Sequence, residues 1–206
     1  MFITFEGIDA CGKSTQIQLL QVHLQERKHD ILSLRDPGAT IISEKIRAIL
    51  LDKDHDEMST WTELLLYEAA RAQMVQELIE PALAAGTIVL SDRFYDSTTA
   101  YQGYGRQLTL GNIHQANALG SCGLTPDLTF FFDLPPEDAL KRKAKLTAAL
   151  DRLESAGLGF LHRVRDGYRA IAAKEPKRIV ALDGTASIEE LHQSVIAELD
   201  KRYPSL

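Results

Sequence analysis

An octapeptide close to the N-terminus, Gly7-Ile8-Asp9-Ala10-Cys11-Gly12-Lys13-Ser14, admits few architectures. It reads G-x-x-x-x-G-K-S, a phosphate-binding loop that has to follow a strand and open a helix. Both flanks comply. Phe2–Phe5 is a short apolar run, and from Gln16 to about Arg27 the residues Ile17, Leu20 and Leu24 recur on one helical face. Glycines let backbone N–H groups converge on phosphate oxygens, and the helix N-terminus adds a dipole that favours anions. Lys13 supplies a point charge to the β- and γ-phosphates. The Ser14 hydroxyl is the expected Mg²⁺ ligand, because Mg²⁺ takes few protein oxygens and keeps most of its waters. The nucleoside triphosphate is thus expected on Gly7, Ile8, Asp9, Ala10, Cys11, Gly12, Lys13, Ser14 and Thr15. Cys11 occupies a variable position of the loop and reads as a passive residue.

Beyond the loop, short apolar runs alternate with helical segments. Strands are expected at Phe2–Phe5, Ile31–Leu34, Thr87–Leu90, Leu128–Phe132 and Arg178–Leu182. Helices are expected from about Ile42 to Leu51, from Thr60 with Glu63 as a capping box, from Pro135-Pro136, and from Ile188 to about Leu199. Pro81 is expected to kink or end the long helix that starts at Thr60. Phe160, Val164 and Tyr168 lie at i, i+4 and i+8 of a further helix. Five strands alternating with helices point to an α/β fold, one parallel sheet covered on both faces. The 206 residues, 45% of them hydrophobic, fit a single domain spanning 1–206.

Charge and cysteine content narrow the function classes. A net charge of −6 leaves no global basic footprint for DNA or RNA, so an anionic ligand needs a local cluster of donors. No stretch approaches the length of a membrane span. The two cysteines, Cys11 and Cys122, show no metal spacing, and a reducing cytoplasm is the simplest home. The P-loop alone does not separate kinases from switches and motors. There is no N-K-x-D guanine signature and no L-S-G-G-Q. Thr87–Asp92 reads as a Walker B strand, but Arg93 follows where many ATPases carry glutamate.

Asp92-Arg93-Phe94-Tyr95-Asp96-Ser97-Thr98-Thr99-Ala100-Tyr101-Gln102-Gly103-Tyr104-Gly105-Arg106 follows the third strand, where an open α/β sheet binds its ligands. Arg93 there can clamp a phosphate bidentately. The hydroxyls and amide of Ser97, Thr98, Tyr101 and Gln102 suit a base and a sugar. This D-R-x-x-x-S-x-x-A-Y-Q-G-x-x-R run resembles the signature of the thymidylate kinase family. Arg35-Asp36-Pro37-Gly38-Ala39-Thr40 is similar to that family's R-E-P-G-G-T, Tyr67–Gln73 to its aromatic-x-A-A-R-x-Q helix, and Thr125–Thr129 to its P-D-L-T strand.

The resemblance implies a P-loop fold with strand order 2-3-1-4-5, a homodimer packed through helices, and ATP- and Mg²⁺-dependent phosphorylation of dTMP to dTDP in dTTP biosynthesis. It implies that Asp9 sits near the acceptor's 3′-hydroxyl and phosphate, and that Arg35 and Arg93 hold that phosphate. Tyr67 would stack on thymine, with Arg71 one helical turn away. Ser97 and Thr98 would face the base edge, Tyr101 would crowd the sugar 2′ position, and Gln102 would line the same pocket. A kinase for another nucleotide, or a nucleotide-dependent switch, shares the P-loop and would differ in the acceptor pocket.

Phosphoryl transfer needs positioning and charge neutralisation more than covalent chemistry. Lys141–Arg152 carries five basic residues and one acidic residue, which suits a cationic lid at about 141–157 that closes and excludes water. Family members place the catalytic cation either in the P-loop or in the lid, and Ala10 with this basic segment resembles the lid arrangement. Lys143 and Lys145 stand where many such lids carry arginine, and lysine lacks the planar fork. Arg142 and Arg152 are the candidate transition-state cations, with Arg163 and Arg165 as alternatives. Asp36 and Ala39 replace the family's usual glutamate and glycine.

Overall fold

Continuous apolar runs make buried parallel strands, and the interior strands here have that character. The computed structural model describes residues 1–145, 157–204 and 206. Its sheet holds β1 (Phe2–Glu6), β2 (Ile31–Arg35), β3 (Ile88–Asp92), β4 (Leu128–Asp133) and β5 (Ile179–Asp183) in the order β2-β3-β1-β4-β5, all parallel. The expected topology is therefore the observed one. β1 is buried along its whole length, whereas the edge strands β2 and β5 are partly exposed. Inside the sheet the hydroxyls of Thr4 and Thr129, partners in register, bond each other at 2.7 Å, which satisfies two polar groups that burial would otherwise penalise.

The helices among the described residues are α1 (Lys13–Glu26), α2 (Ile41–Leu51), α3 (Thr60–Met74), α4 (Glu80–Ala84), α5 (Tyr95–Thr98), α6 (Leu110–Gly120), α7 (Pro136–Lys145), α8 (Leu158–Lys174) and α9 (Ile188–Arg202). Period-two alternation sends the side chains of β1 to opposite faces. Phe2 packs with Met74, Val75, Ile79, Val89 and Phe94, while Ile3 and Phe5 join the larger core that takes in Leu20 and Leu24 of α1 and Val195 and Leu199 of α9. Phe160, Val164 and Tyr168 are all buried on α8, as their spacing predicts. α8 lies close against a π-helical stretch, Thr99–Gly105. A Cβ on Gly167 would stand 2.8 Å from the Tyr104 side chain, so only glycine permits that approach.

The capping box expected at Thr60 and Glu63 differs from what is found. α3 is capped by Ser59, whose hydroxyl accepts the Thr62 N–H at 3.1 Å, not by Thr60. Glu63 is drawn inward instead of closing a capping box, because Gln102 (2.9 Å) and Arg106 (3.0 Å) both donate to it. Pro81 does not end the helical path. The turn before it widens into a π-helix, Val75–Ile79, which accommodates the missing N–H, and α4 continues to Ala84. α6 was not foreseen from the sequence.

Candidate active site

The loop between β1 and α1 owes its shape to left-handed backbone. Gly7 has φ 137° and Gly12 φ 106°, and a Cβ on Gly7 would stand 2.7 Å from the Phe132 carbonyl oxygen. Side chains are therefore excluded at the start of the loop. α1 opens at Lys13 with no acidic residue in its first turn, which leaves its N-terminal N–H groups available to an anion. Lys13 is buried, and its Nζ donates to the carbonyl oxygens of Gly7 (3.2 Å) and Ile8 (3.1 Å) and lies 4.0 Å from Asp92 Oδ1. Ser14 Oγ donates to Asp92 Oδ2 at 3.0 Å. This pair of hard oxygen donors suits a small divalent cation that completes its shell with phosphate and water oxygens. Among the described residues no group of three or more His, Cys, Asp or Glu forms an all-protein metal cage. Cys11 is fully buried, and burial raises its thiol pKa above the ordinary value.

A cleft adjoins the loop beyond the ends of β2 and β3. It is lined by Asp9, Arg35, Tyr67, Arg71, Arg93, Ser97, Thr98, Tyr101 and Gln102, so every residue assigned to the acceptor lies on one concavity. The ladder explains part of this convergence, because Arg35 and Asp92 are register partners and Phe5 pairs with Asp92.

Arg93 sits at the junction of loop and cleft, in left-handed backbone at φ 73°. One guanidinium nitrogen donates to Gly7 O (2.9 Å), Tyr168 OH (3.1 Å) and Ser97 Oγ (3.2 Å). The other donates to Asp9 Oδ1 (2.7 Å) and Tyr101 OH (3.3 Å). Burial works to raise the Asp9 carboxyl, but the Arg93 and Lys13 charges outweigh it and hold Asp9 well below the usual range.

The remaining cleft residues differ in how committed they already are. Arg35 is exposed and paired with Glu44 at 2.9 Å. Tyr67 is half-buried. Arg71 is fully buried and donates to Asp36 Oδ2 (2.5 Å), Glu68 Oε2 (2.7 Å) and Thr98 Oγ1 (2.8 Å). The Ser97 hydroxyl donates to Glu6 Oε2 at 2.6 Å, and Gln102 donates to Glu63. Of the candidate transition-state cations, Arg142 reaches the Gly184 carbonyl (2.9 Å) and the Ala10 carbonyl of the P-loop (3.4 Å). Arg163 donates to Gly105 O, and Arg165 pairs with Asp133 at 2.6 Å. Lys143 adds to the positive field on Asp9. Arg152 and the Lys145 side chain fall outside what the structure describes.

Sequence reasoning passed over Arg47, Tyr168 and Glu6. Arg47 lines the cleft from α2 and donates to Pro37 O at 2.9 Å. Tyr168 carries its hydroxyl into the Arg93 cluster as well as filling the core. Glu6 is fully buried at the end of β1 and accepts from Phe94 N, Ser97 and Tyr168. Burial, and then the charge of Asp96, push its pKa up to about 7. A carboxylate closing a wholly buried central strand was the available signal for it.

A family model described as thymidylate kinase matches residues 5–195 of the chain. The chain is 49% identical to the thymidylate kinase of Prosthecochloris aestuarii, covering 100% of this chain and 96% of that protein. It is 48% identical to the thymidylate kinase of Chlorobaculum tepidum, covering 97% of each. The crystal structure of thymidylate kinase from Ehrlichia chaffeensis matches with a TM-score of 0.81 at 35% identity, over 97% of this chain and 98% of that one.

Proposed function

The chain belongs to the thymidylate kinase family, enzymes that transfer the γ-phosphoryl group of ATP to dTMP, and from that premise we propose how its own residues divide the work. ATP phosphates lie on Gly7–Thr15, and dTMP fills the cleft beyond β2 and β3. A non-bridging oxygen of the dTMP phosphate attacks the γ-phosphorus, the bond to the β-bridging oxygen breaks, and ADP and dTDP result. The acceptor is already anionic, so no strong general base is needed, and the protein's task is alignment and charge compensation.

The observation that carries this reading is the position of Arg93. It touches the P-loop carbonyl of Gly7 and the Asp9 carboxylate while lining the acceptor cleft, so one guanidinium spans donor and acceptor sides. On binding, Arg93 and Lys13 exchange carbonyl partners for phosphate oxygens. Arg35 guards the outer side of the acceptor phosphate, Tyr67 stacks on the base, and Arg71, Thr98 and Gln102 form the rigid wall behind it. Ser14 and Asp92 would hold Mg²⁺, which would supply charge neutralisation to the nucleotide phosphates. Arg142, which already reaches the P-loop, and Arg152 supply positive charge from the lid.

A homodimer is proposed through α3 and α6. Trp61, Leu65 and Leu119 are 48%, 62% and 78% exposed on that face, an apolar surface of the kind monomers seldom leave to water. A cytoplasmic setting is proposed from Cys11 and Cys122, both free thiols. Among the described residues no helix is long and apolar enough to cross a membrane.

The test is ADP formation from ATP and Mg²⁺ with a panel of nucleoside monophosphates, run beside Arg93→Ala. Turnover with dTMP that the variant abolishes is expected. Preference for another monophosphate would overturn the acceptor assignment.

A further inference from the structure

Arg93 can only donate hydrogen bonds, so where its guanidinium rests depends on which neighbours offer lone pairs. Two of its three hydroxyl neighbours, Ser97 and Tyr168, present either a proton or a lone pair as their surroundings dictate. Both lie against Glu6 Oε2, at 2.6 Å for Ser97 and 2.9 Å for Tyr168, and 2.7 Å from each other. The Phe94 N–H, one residue after Arg93, fixes the other oxygen, Glu6 Oε1, at 2.7 Å.

We infer that Glu6 is a positioning residue for Arg93: its carboxylate takes the protons of Ser97 and Tyr168 and so turns their lone pairs toward the guanidinium. The inference rests on Arg93 being the ligand of the acceptor phosphate. The geometry accounts for a charge that burial alone would not keep at the end of a central strand. Glu6 is fully buried, and three groups donate to it, each tied to Arg93 by a bond or by the chain. An ionised Glu6 has no proton of its own to add to the cluster. With both hydroxyl protons on Oε2, the lone pairs of Ser97 and Tyr168 are left for Arg93. Burial and the charge of Asp96 raise the Glu6 pKa to about 7, and Ser97, Arg93 and Tyr168 work against that rise. Glu6 thereby also reads the same backbone turn that carries Arg93, through Phe94.

Glu6→Gln keeps size and shape but introduces donors at one end, and Tyr168→Phe removes one link while keeping the ring that stacks on Phe131. Steady-state kinetics with each substrate varied separately is the readout, with folding of each variant checked by thermal melting. The expected result for Glu6→Gln is a KM for dTMP raised about tenfold to a hundredfold, the loss of one or two hydrogen bonds to a charged group. The KM for ATP stays within about twofold, the scatter of uncoupled sites. Tyr168→Phe moves the same constant in the same direction by less, and the double variant falls short of the product of the two. If Glu6→Gln does not fold, Tyr168→Phe alone decides.

A folded Glu6→Gln with an unchanged KM for dTMP overturns the inference, and so does a parallel rise of both KM values, which marks general loosening. If wild type turns over dTMP and Arg93→Ala does not, those results bear on Glu6 only. If wild type ignores dTMP, the acceptor assignment fails and takes this inference with it.

Discussion

Replacing Arg71 by methionine should weaken the fold before it tests any contact with a base. The guanidinium is 1% exposed and makes three short hydrogen bonds, at 2.5 Å to Asp36, 2.7 Å to Glu68 and 2.8 Å to Thr98. It also lies over the Phe94 ring at 5.5 Å. Asp36 Oδ1 and Glu68 Oε1 are buried with no hydrogen-bond partner among the described residues, so the Arg71 bonds to the other oxygen of each are what keep both acids tolerable. Burial opposes the charge on Arg71, yet Asp36 and Glu68 together hold its pKa well above the usual value.

Removing one member of a buried ion cluster costs about 3–5 kcal/mol, because the charges left behind stay desolvated. For a chain of this size that corresponds to a fall in Tm of roughly 6–20 °C. The deficit must depend on pH with a definite sign. Without Arg71 the buried carboxyl groups lose their counter-cation, a loss that costs most where carboxyl groups carry charge and least in acid. The variant should therefore lie closest to wild type in acid and furthest from it near pH 8. Thermal melts of wild type, Arg71→Met and Arg71→Met/Asp36→Asn at acidic and alkaline pH measure this, and the second substitution should recover part of the loss. A single variant that melts within about 3 °C of wild type at alkaline pH would refute the reasoning.

Four further outcomes are expected. Ser14→Ala should shift the Mg²⁺ dependence of turnover to roughly tenfold higher concentration, seen by metal titration at fixed ATP, since it removes one of two oxygen donors. Glu6, raised from 4.5 to about 7 by burial and Asp96, contributes stability that is complete below its unfolded pKa and lost as pH climbs through the folded one. Urea unfolding across that window should show a decline on the order of 3 kcal/mol in wild type that Glu6→Gln flattens. Gly167→Ala, whose Cβ would meet the Tyr104 side chain at 2.8 Å, should cost about 1–3 kcal/mol in the same assay. Leu65→Glu, on the exposed face of α3, should convert a dimer to a monomer in sedimentation. A wild type that sediments as a monomer would dispose of the interface.

The fold was legible because its strongest signals are local. G-x-x-x-x-G-K-S fixes a strand, a turn and a helix together, and buried parallel strands announce themselves as apolar runs. Strand ends were read one to two residues short at Arg35, Asp92 and Asp133, because the polar residues that finish each strand break the hydrophobic run while still pairing in the ladder. The cap at Ser59 was missed for a related reason. Thr60 and Glu63 have the right spacing, but Glu63 answers to Gln102 and Arg106, about forty positions away. Partner choice among polar side chains is nonlocal, and so the acceptor residues could be named while their hydrogen bonds could not. Arg71 looked like a residue facing a base, and its ties to Asp36 and Thr98 cross elements that sequence spacing does not relate. Glu6 went unread because its function depends on Tyr168, which periodicity assigned to the core.

The sheet register has an implication for how such a site can diverge. The Arg93 amide donates to Phe5 O at 3.0 Å and the Asp36 amide to Asp92 O at 2.9 Å, so the main-chain ladder runs on past the strands and through the residues that carry the chemistry. Neighbouring strands sit about 4.8 Å apart whatever side chains they bear. The separation between the P-loop and the acceptor arginine is thus inherited from peptide geometry. A lineage can exchange the side chains around the nucleobase without disturbing the distance over which phosphorus must travel. Amide hydrogen exchange would register this division directly, with the amides of Asp36 and Arg93 protected to the limit of global unfolding while the base-facing wall is free to vary.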